Sequence, residues 1–360
     1  MAHPVGIGML GSGFIAGFYT DGLRYVPDVR LVADYGQGAE RREAFALERG
    51  FERSYGSIAE LCADPEVDLV VVALPNHLHL EAVREASRRG KAVVCTKPLG
   101  RNAKEAAEMV RLATEAGVMH GYLENVVFNA EIMRIREMVE AGAIGDLVGL
   151  RAREGHSGPH APHFWDAGTA GGGALLDMGP HTIETARFVF GKDRAIRDVF
   201  AWGATLVHGE RTTGEDNALV VMRFEDGRTA TTDVSWSAKG GLEGRTEVYG
   251  TKGKIIHDTT STPLRAFIEE PAGYIAEKAG AETGWVFPVP DETRAHGYDE
   301  QMRHMVESYR AATQPRETFL DGYVVNCVLD AAYRSMKSGR WESVELDAAL
   351  LGTGAGLVAA

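Results

Sequence analysis

Short apolar runs alternate with amphipathic segments over residues 1–123, and this alternation constrains the fold more than any other feature of the chain. The apolar runs are VGIGML, VRLVA, VDLVVVAL, KAVVCTK and VMHGYL, and helical patterns such as HLEAVREASRRG and NAKEAAEMVRLATEAG separate them. Each run is continuously apolar, as strands buried on both faces are. Five such strands joined by helices predict an N-terminal α/β domain of the Rossmann type, with a doubly wound parallel sheet.

The pattern changes near residue 124 and predicts a second, α+β domain over 124–346. A helical segment, AEIMRIREMVEAG, precedes a strand, DLVGLRAREGH, and a loop rich in Gly, Pro and His covers about 156–173. A helix over about 174–190 is followed by β-type runs joined by turn signals such as EDG. This succession predicts an open, mostly antiparallel sheet, with later helices near 298–312 and 320–338.

Composition limits the functional classes. The chain has 360 residues, 44% of them hydrophobic, which is enough for two domains, and its formal net charge of −13 argues against binding nucleic acid or an anionic membrane surface. Three distant cysteines suggest neither a disulfide framework nor a zinc site, and the start, MAHPVGIGML, lacks a signal-peptide pattern. We therefore expect a cytoplasmic globular protein without a metal, ending in a flexible tail over 347–360.

A glycine-rich turn follows the first strand. Gly11, Gly13 and Ala16 form a G-x-G-x-x-A pattern, in which the first glycine permits the turn and the second lets a pyrophosphate approach the main chain. Its position at the first β–α junction of an alternating β/α pattern is the context that such a dinucleotide site requires. A purely structural glycine turn is the alternative.

An acidic residue near the end of the second strand commonly binds the ribose hydroxyls of a dinucleotide. Asp34 stands at that distance, and Arg41 and Arg42 follow on the next segment, where they could pair with a 2′-phosphate instead. The sequence thus favours NAD and leaves NADP possible. In the alternative interpretation, Asp34 caps a turn and both arginines are solvated.

A second informative stretch is GGGALLDMGPHTIE, residues 171–184. Asp177 and His181 are four residues apart and would share one face of a helix. A neutral histidine can accept a hydroxyl proton near neutral pH, and a carboxylate beside it can orient the ring or balance its charge. An Asp–His pair that only stabilises the helix is the alternative.

Together with the phosphate loop and the TKP sequence at 96–98, the pattern resembles the Gfo/Idh/MocA family of nicotinamide-dependent oxidoreductases. The resemblance covers roughly residues 4–346 and rests on GSGFIAG, ALPNHLHLEAV, TKPLGRNAKEA, AGAIGDL, GGGALLDMGPHTIE and EVYGTKGKI, in family order and spacing. It implies that Lys97 contacts the substrate hydroxyl and the nicotinamide ribose, before an unusual backbone turn at Pro98. It further implies that His181 is the general acid/base and that Asp177 touches the substrate.

Two departures from the family pattern affect specificity. The glutamate that usually precedes the lysine is Thr96, and Val127 stands where many relatives have an arginine, with Glu124 and Asn125 nearby. The loop PNHLHLEAV is placed against the cofactor by the resemblance, although Asn76 could equally cap a helix between partly exposed histidines.

The loop over 156–173 carries His156, His160 and His163 together with Trp165. Its histidines lack the spacing of a zinc helix, so we expect no metal there. A loop that lines the substrate site and a loop that contacts another subunit both remain open.

These expectations define the site residues. The predicted catalytic residues are Lys97, Asp177 and His181. The predicted cofactor contacts are Gly11, Gly13, Phe14, Ile15, Asp34, Pro75, Asn76, His79, Thr96, Lys97 and Asn125. The predicted substrate contacts are Lys97, Glu124, His156, His160, Trp165, Asp177 and His181.

The predicted reaction is hydride transfer between NAD(P) and a secondary hydroxyl of a sugar, glycoside or cyclic polyol. One alternative is an enzyme that keeps and recycles its NAD(H), through transient oxidation or reduction of a second sugar. A non-catalytic binding protein on the same fold is another, which the Lys97, Asp177 and His181 set argues against. Relatives usually assemble through the open face of the second sheet, so we expect a homodimer or homotetramer.

Overall fold

The structure, a computed structural model, describes residues 3–259, 266–271, 282–289 and 291–352. The chain divides into two compact units. The first unit holds the described residues up to Asn125, the segment Gly297–Asn326 and the residues from Leu346 onward. The second unit holds Val126–His296 and Cys327–Glu345.

The first unit contains a six-stranded parallel sheet with the strand order β3-β2-β1-β4-β5-β6. Its strands are β1 Val5–Leu10, β2 Val29–Tyr35, β3 Arg53–Tyr55, β4 Leu69–Val72, β5 Ala92–Thr96 and β6 His120–Leu123. The order reverses between β1 and β4, which is where doubly wound sheets bind ligands. The Rossmann-type prediction is confirmed, and the sheet has one strand more than the five predicted, because β3 is a three-residue edge strand without an apolar run.

The helices of this part connect the strands. They are α1 Phe14–Leu23, α2 Ala39–Arg49, α3 Ile58–Ala63, α4 His79–Arg88 and α5 Ala103–Glu115. The Asn102 side chain caps α5 by accepting from Glu105 N, and Ser57 caps α3 in the same way through Glu60 N. The start of α1 has no side-chain cap.

The second unit contains a seven-stranded mixed sheet with the strand order β12-β11-β7-β10-β9-β8-β15. Its strands are β7 Leu147–Gly155, β8 Ile196–Ala204, β9 Asn217–Phe224, β10 Thr229–Ser235, β11 Glu243–Gly250, β12 Gly253–Asp258 and β15 Glu342–Ser343. Only the β7–β10 pair is parallel within this sheet as described. The mostly antiparallel prediction is confirmed. A separate two-stranded antiparallel sheet pairs β13 Ala266–Ile268 with β14 Gly284–Val286.

One buried helix packs on this sheet and contains Asp177 and His181. All residues of α8 Ala174–Phe190 are buried, and the helix contacts β7 and β10. Phe190 at its end stacks on Phe224 of β9, with ring centroids 4.2 Å apart. The remaining helices of this part are α6 Ala130–Glu140, α7 Ala167–Ala170 and α9 Glu292–Ala295. The predicted loop over 156–173 therefore includes a short helix.

The last helices are α10 Tyr298–Arg310, α11 Phe319–Ser338 and α12 Ala348–Leu351. The sequence assigned everything from 124 to 346 to the second domain, whereas Gly297–Asn326 belongs to the first unit here. Tyr298 explains the difference, because its ring stacks on Phe18 of α1 at 4.8 Å. An apolar helix face shows that a helix is packed, but not which neighbour it packs against. The predicted tail begins with α12, and its end, 353–360, lies outside the described residues.

In the part of the chain that the structure describes, no helix combines the length and the apolarity needed to cross a bilayer.

Candidate active site

The turn after β1 requires glycine at its first position. Gly11 has φ +131°, donates its N–H to the carbonyl of Tyr35 at 2.7 Å, and would place a Cβ 2.3 Å from the carbonyl oxygen of Ala73. A side chain there would meet both backbone strain and main-chain overlap. The first glycine thus holds the loop between the ends of β2 and β4.

Gly13 precedes α1 and leaves space that a ligand can fill. A Cβ at this position would come within 4 Å only of the Arg41 guanidinium, at 3.7 Å. Helix α1 begins at Phe14, followed by Ile15, without a side-chain cap or an acidic residue in its first turn. An uncapped helix N-terminus behind an open glycine favours an anion, as the pyrophosphate of a dinucleotide requires.

Asp34 lies near the end of β2 and is fully buried. Neither carboxylate oxygen makes a hydrogen bond within the described part of the chain. Burial raises the pKa of Asp34, while the Arg42 guanidinium acts against that rise. A carboxylate that lacks donors fits the hydroxyl groups of a ribose, which can donate to both of its oxygens. The site residues present therefore fit a dinucleotide.

The turn after β5 carries the predicted lysine. The Lys97–Pro98 peptide bond is cis, and Lys97 is half-buried. The preceding Thr96 hydroxyl shares a hydrogen bond of 2.7 Å with the Tyr19 hydroxyl of α1, and burial raises the pKa of Tyr19. Thr96, which replaces the usual glutamate, thus ties the end of β5 to the helix of the phosphate loop.

Two buried side chains hold the rest of this turn, which we call the lysine turn, residues 96–100. The His79 ring is fully buried, with Nδ1 3.1 Å from the carbonyls of Pro98 and Leu99 and Nε2 2.8 Å from the carbonyl of Leu74. Burial lowers the pKa of His79. Because carbonyl oxygens surround both ring nitrogens, the geometry favours a positioning role for His79 over direct contact with the cofactor.

Asn326 holds the turn from α11. Its amide Nδ2 donates to the carbonyl of Gly100 at 2.8 Å, and its Oδ1 accepts from Gly100 N at 3.2 Å. A main-chain segment with both its N–H and C=O bound by one side chain has little freedom to move. Neither Asn326 nor Tyr19 was predicted as part of this arrangement.

The other predicted residues of the first unit also follow strand ends. Pro75 and Asn76 come shortly after β4, with Asn76 starting a 3₁₀ turn, and Glu124 and Asn125 come directly after β6. Asn76, Glu124 and Asn125 are buried. In a parallel sheet the carboxyl ends of neighbouring strands lie at one edge, so these residues and the lysine turn share that edge of the sheet.

Asp177 and His181 share one face of α8, as their spacing predicted. Both are nearly buried, with relative exposures of 6% and 7%. Two of the three glycines before the helix allow close packing: a Cβ at Gly173 would lie 2.1 Å from the Glu215 carbonyl oxygen, and one at Gly172 would lie 2.0 Å from the Tyr333 hydroxyl. The close approaches of this glycine run are to Glu215 and Tyr333.

Neighbouring strands supply partners to this pair. The Trp236 indole Nε1 donates to Asp177 Oδ2 at 3.0 Å, and His156 Nε2 lies 3.8 Å from the same oxygen. Gly158 N donates to His156 Nδ1 at 3.2 Å, which assigns the ring proton of a neutral His156 to Nε2, facing Asp177. His181 Nε2 lies 4.0 Å from Glu154 Oε1.

Trp165 brings the loop over 156–173 into contact with Trp236 and His208. Its ring lies 5.3 Å from that of Trp236 and 5.1 Å from that of His208, and the Arg211 guanidinium lies 3.8 Å from its centroid. His160 is exposed. Among the described residues, the ligand atoms of the loop histidines do not gather into a group of three able to hold one ion.

The family models match both parts of the chain. The model described as "Oxidoreductase family, NAD-binding Rossmann fold" matches residues 5–123, and that of the GFO/IDH/MocA C-terminal domain matches residues 132–256. The chain belongs to the Gfo/Idh/MocA family. The predicted resemblance is thus confirmed, and the chain is an oxidoreductase with an NAD-binding domain.

Named Gfo/Idh/MocA relatives and solved structures cover most of the chain. Myo-inositol 2-dehydrogenase of Thermotoga maritima is 29% identical over 343 residues, 95% of this chain and 98% of the relative. The 1,5-anhydro-D-fructose reductase of Ensifer adhaerens is 34% identical over 253 residues, 69% and 74% of the two chains. The crystal structure of GenD2 from gentamicin A biosynthesis in complex with NAD has 30% identity and a TM-score of 0.90, covering 96% of this chain and 98% of GenD2.

Sequence reasoning missed Trp236 and Glu154, and the reason is topological. Glu154 is near the end of β7 and Trp236 follows β10, and these two strands pair in parallel, with Val234 opposite Glu154. The strand patterns were visible in the sequence as REGH and DVSWS, but the β7–β10 pairing that joins them was not.

Proposed function

We propose that this protein is an NAD(P)-dependent dehydrogenase that acts on a secondary hydroxyl of a sugar, glycoside or cyclic polyol. The observation that carries the proposal is the buried Asp177–His181 pair on α8, in a chain whose other unit is an NAD-binding domain. The relatives named above support the substrate class, since a polyol dehydrogenase and a sugar reductase are among them.

His181 takes the hydroxyl proton during oxidation and returns it during reduction. Its nearly buried ring excludes most water from that transfer, and Glu154, 4.0 Å from Nε2, balances the charge that the ring gains. Asp177 orients the substrate and the imidazole. Lys97 stabilises the negative charge that develops on the substrate oxygen, as a fixed cation near a reacting oxygen does.

NAD supplies the hydride acceptor at its nicotinamide when it is bound. Gly11, Gly13, Phe14 and Ile15 hold the pyrophosphate at the N-terminus of α1, and Asp34 accepts hydrogen bonds from the ribose. The predicted contacts of Pro75, Asn76, Thr96, Lys97 and Asn125 with the cofactor remain part of this proposal. A buried carboxylate at position 34 favours NAD over NADP, since it would repel a 2′-phosphate.

Glu124, His156, His160 and Trp165 are proposed substrate contacts. Of these, His156 is held against Asp177 and Trp165 packs on Trp236, so both stand beside the residues that we assign to the reaction. The similarity to GenD2 from gentamicin A biosynthesis adds amino-substituted glycosides to the candidate substrates.

A panel assay tests the proposal. The purified protein is incubated with NAD or NADP and, separately, with myo-inositol, 1,5-anhydroglucitol, levoglucosan, a methyl glucoside and an aminoglycoside, while the near-ultraviolet absorbance of reduced nicotinamide is followed. We expect reduced cofactor to accumulate with one of these classes in the wild-type protein and not in Lys97→Ala.

Native mass spectrometry of the gently purified protein accompanies the panel. Retained cofactor without net NADH formation would favour the recycling alternative, and paired sugars would then be tested. Cofactor that never binds, or turnover that Lys97→Ala retains at the wild-type rate, would overturn the proposed mechanism.

We also propose that the protein forms a dimer or tetramer through the face of the second sheet opposite α8. Val148 of β7, Trp202 of β8 and Leu219 of β9 occupy exposed positions of their strands. Their relative exposures are 54%, 50% and 44%. An apolar sheet face of this kind is usually covered. A monomer mass from light scattering at micromolar concentration would contradict the proposed dimer or tetramer. A cytoplasmic location stays a prediction.

A further inference from the structure

Trp236 is the one fully buried tryptophan in the described part of the chain, and it follows β10 directly. Its backbone is held at both groups: Trp236 N donates to the carbonyl of Asp216 at 2.8 Å, and its own carbonyl lies 3.1 Å from His208 Nε2. The Trp165 ring packs on the indole, with centroids 5.3 Å apart. The position of the indole is therefore fixed by its main chain and by its ring contacts.

The indole has a single polar group, Nε1–H, which can only donate. That group points at Asp177 Oδ2, 3.0 Å away. The carboxylate of an aspartate can rotate broadly about its last side-chain bond, so a fixed donor selects one orientation. His156 Nε2, 3.8 Å from the same oxygen, favours the same orientation of the carboxylate.

We propose that Trp236 is a positioning residue for the reaction: its indole N–H holds the Asp177 carboxylate in the orientation that serves the substrate and His181. This inference rests on the function proposed above and adds a residue that neither the sequence motifs nor the spacing of the catalytic pair indicates. Trp236 acts only through Asp177 and has no proton to exchange in the reaction.

A double-mutant cycle tests the proposal. Trp236→Phe keeps an aromatic ring but removes the donor, and we expect it to lower kcat about tenfold while leaving the KM for NAD unchanged. In an Asp177→Ala background, Trp236→Phe should have no further effect on kcat, because its target is gone. Effects that multiply in the double variant would overturn the proposal, as would an unchanged kcat in the single variant.

A matched control separates this role from general loss of a tryptophan. Trp285→Phe changes an exposed tryptophan of β14, to which no role is assigned, and should leave kcat, KM and thermal stability near the wild-type values. Rates are measured with the panel compound that the wild-type protein turns over fastest. A Trp285→Phe variant as slow as Trp236→Phe would contradict the assignment.

The pH dependence of kcat/KM adds a readout that a purely structural role would not move. Loss of a donor disfavours the ionised carboxylate, so the acid limb should move to higher pH by about one unit in Trp236→Phe. His156 Nε2 lies 3.8 Å from Asp177 Oδ2, Glu154 Oε1 lies 4.0 Å from His181 Nε2, and His208 Nε2 lies 3.1 Å from the carbonyl oxygen of Trp236. None of them is altered by the substitution.

One measurement needs neither turnover nor a folded Trp236 variant. The indole N–H proton of Trp236 is observed by NMR in the wild-type protein, after assignment by replacing the other tryptophans one at a time. We expect a downfield resonance that moves upfield in Asp177→Ala. A resonance that does not move would contradict the hydrogen bond between Trp236 and Asp177. If the resonance moves but the wild-type protein is inactive on the whole panel, the hydrogen bond stands and the proposed function is wrong.

Discussion

The two units hold their proposed functional groups in different ways. In the first unit the groups are in turns after strands, and side chains from elsewhere bind the main chain of those turns, as His79 and Asn326 do for residues 98–100. In the second unit the groups are side chains of one buried helix, α8, and neighbouring side chains bind them directly.

This contrast indicates where substitutions act. Apart from Lys97, whose own side chain is assigned to the reaction, a residue of the first unit is expected to act through the position of the main chain, so its substitution alters cofactor affinity or stability, with or without a change in rate. A substitution of Asp177 or His181 on α8 removes a chemical group, while the buried helix keeps its position. The variants below test this difference, beginning with the largest expected effect.

The largest effect is expected for His181→Gln, which removes the proposed acid/base. The rate kcat should fall by about 10²–10⁴-fold, because no other group would take the proton, while the affinity for NAD stays unchanged. Initial rates and calorimetric titration with NAD measure these quantities. His257→Gln in β12 is the control, and a His181→Gln rate within a few-fold of wild type would contradict the assignment.

Lysines at the two ends of β5 provide a matched pair. Lys97→Ala should lower kcat by about 10²-fold, since it removes the cation from the reacting oxygen. Lys91 instead binds the carbonyls of Asp64 and Val67 at 3.0 and 2.7 Å. Lys91→Ala should lower the free energy of unfolding by about 1–3 kcal/mol with kcat unchanged.

Denaturant unfolding and steady-state kinetics on both lysine variants decide the matter. If Lys91→Ala slowed turnover as much as Lys97→Ala, the loss would reflect a general weakening of β5 and not a reacting lysine.

The two glycines of the phosphate loop form a second pair. Gly13→Ala adds a Cβ with no main-chain neighbour within 4 Å, so the fold should persist while the Kd for NAD rises about tenfold. Gly11→Ala combines φ +131° with overlap on Ala73 and should lower the free energy of unfolding by about 2–4 kcal/mol. Thermal unfolding and NAD titration compare the two variants. Wild-type NAD affinity in Gly13→Ala would contradict the assignment of this loop to the pyrophosphate.

The smallest effect on rate is expected for Asn326→Leu, which releases both main-chain groups of Gly100. The free energy of unfolding should fall by about 1–3 kcal/mol, and kcat should fall a few-fold as the lysine turn loosens. Lys337→Ala, on the exposed surface of the same helix, is the control. A lowered stability with an unchanged kcat would show that the turn keeps its position without Asn326.

Local features of the sequence carried most of the prediction. The continuous apolar runs identified the parallel sheet, and the glycine spacing identified the turn at Gly11, because both depend on residues close together in the chain. The short strand Arg53–Tyr55 was missed since three half-buried residues leave no periodicity. The return of Gly297–Asn326 to the first unit was missed since periodicity does not name a packing partner.

The sequence by itself determined that Asp177 and His181 share a face, because residues four apart on a helix must do so. Only the tertiary structure decided that Trp236, 59 residues from Asp177, donates to it, and that Asn326, 226 residues from Gly100, holds the lysine turn. Such contacts depend on which strands pair and which helices return to which unit. Strand pairing and helix placement depend on the packing of the whole core, because no short stretch of sequence contributes enough free energy to determine them.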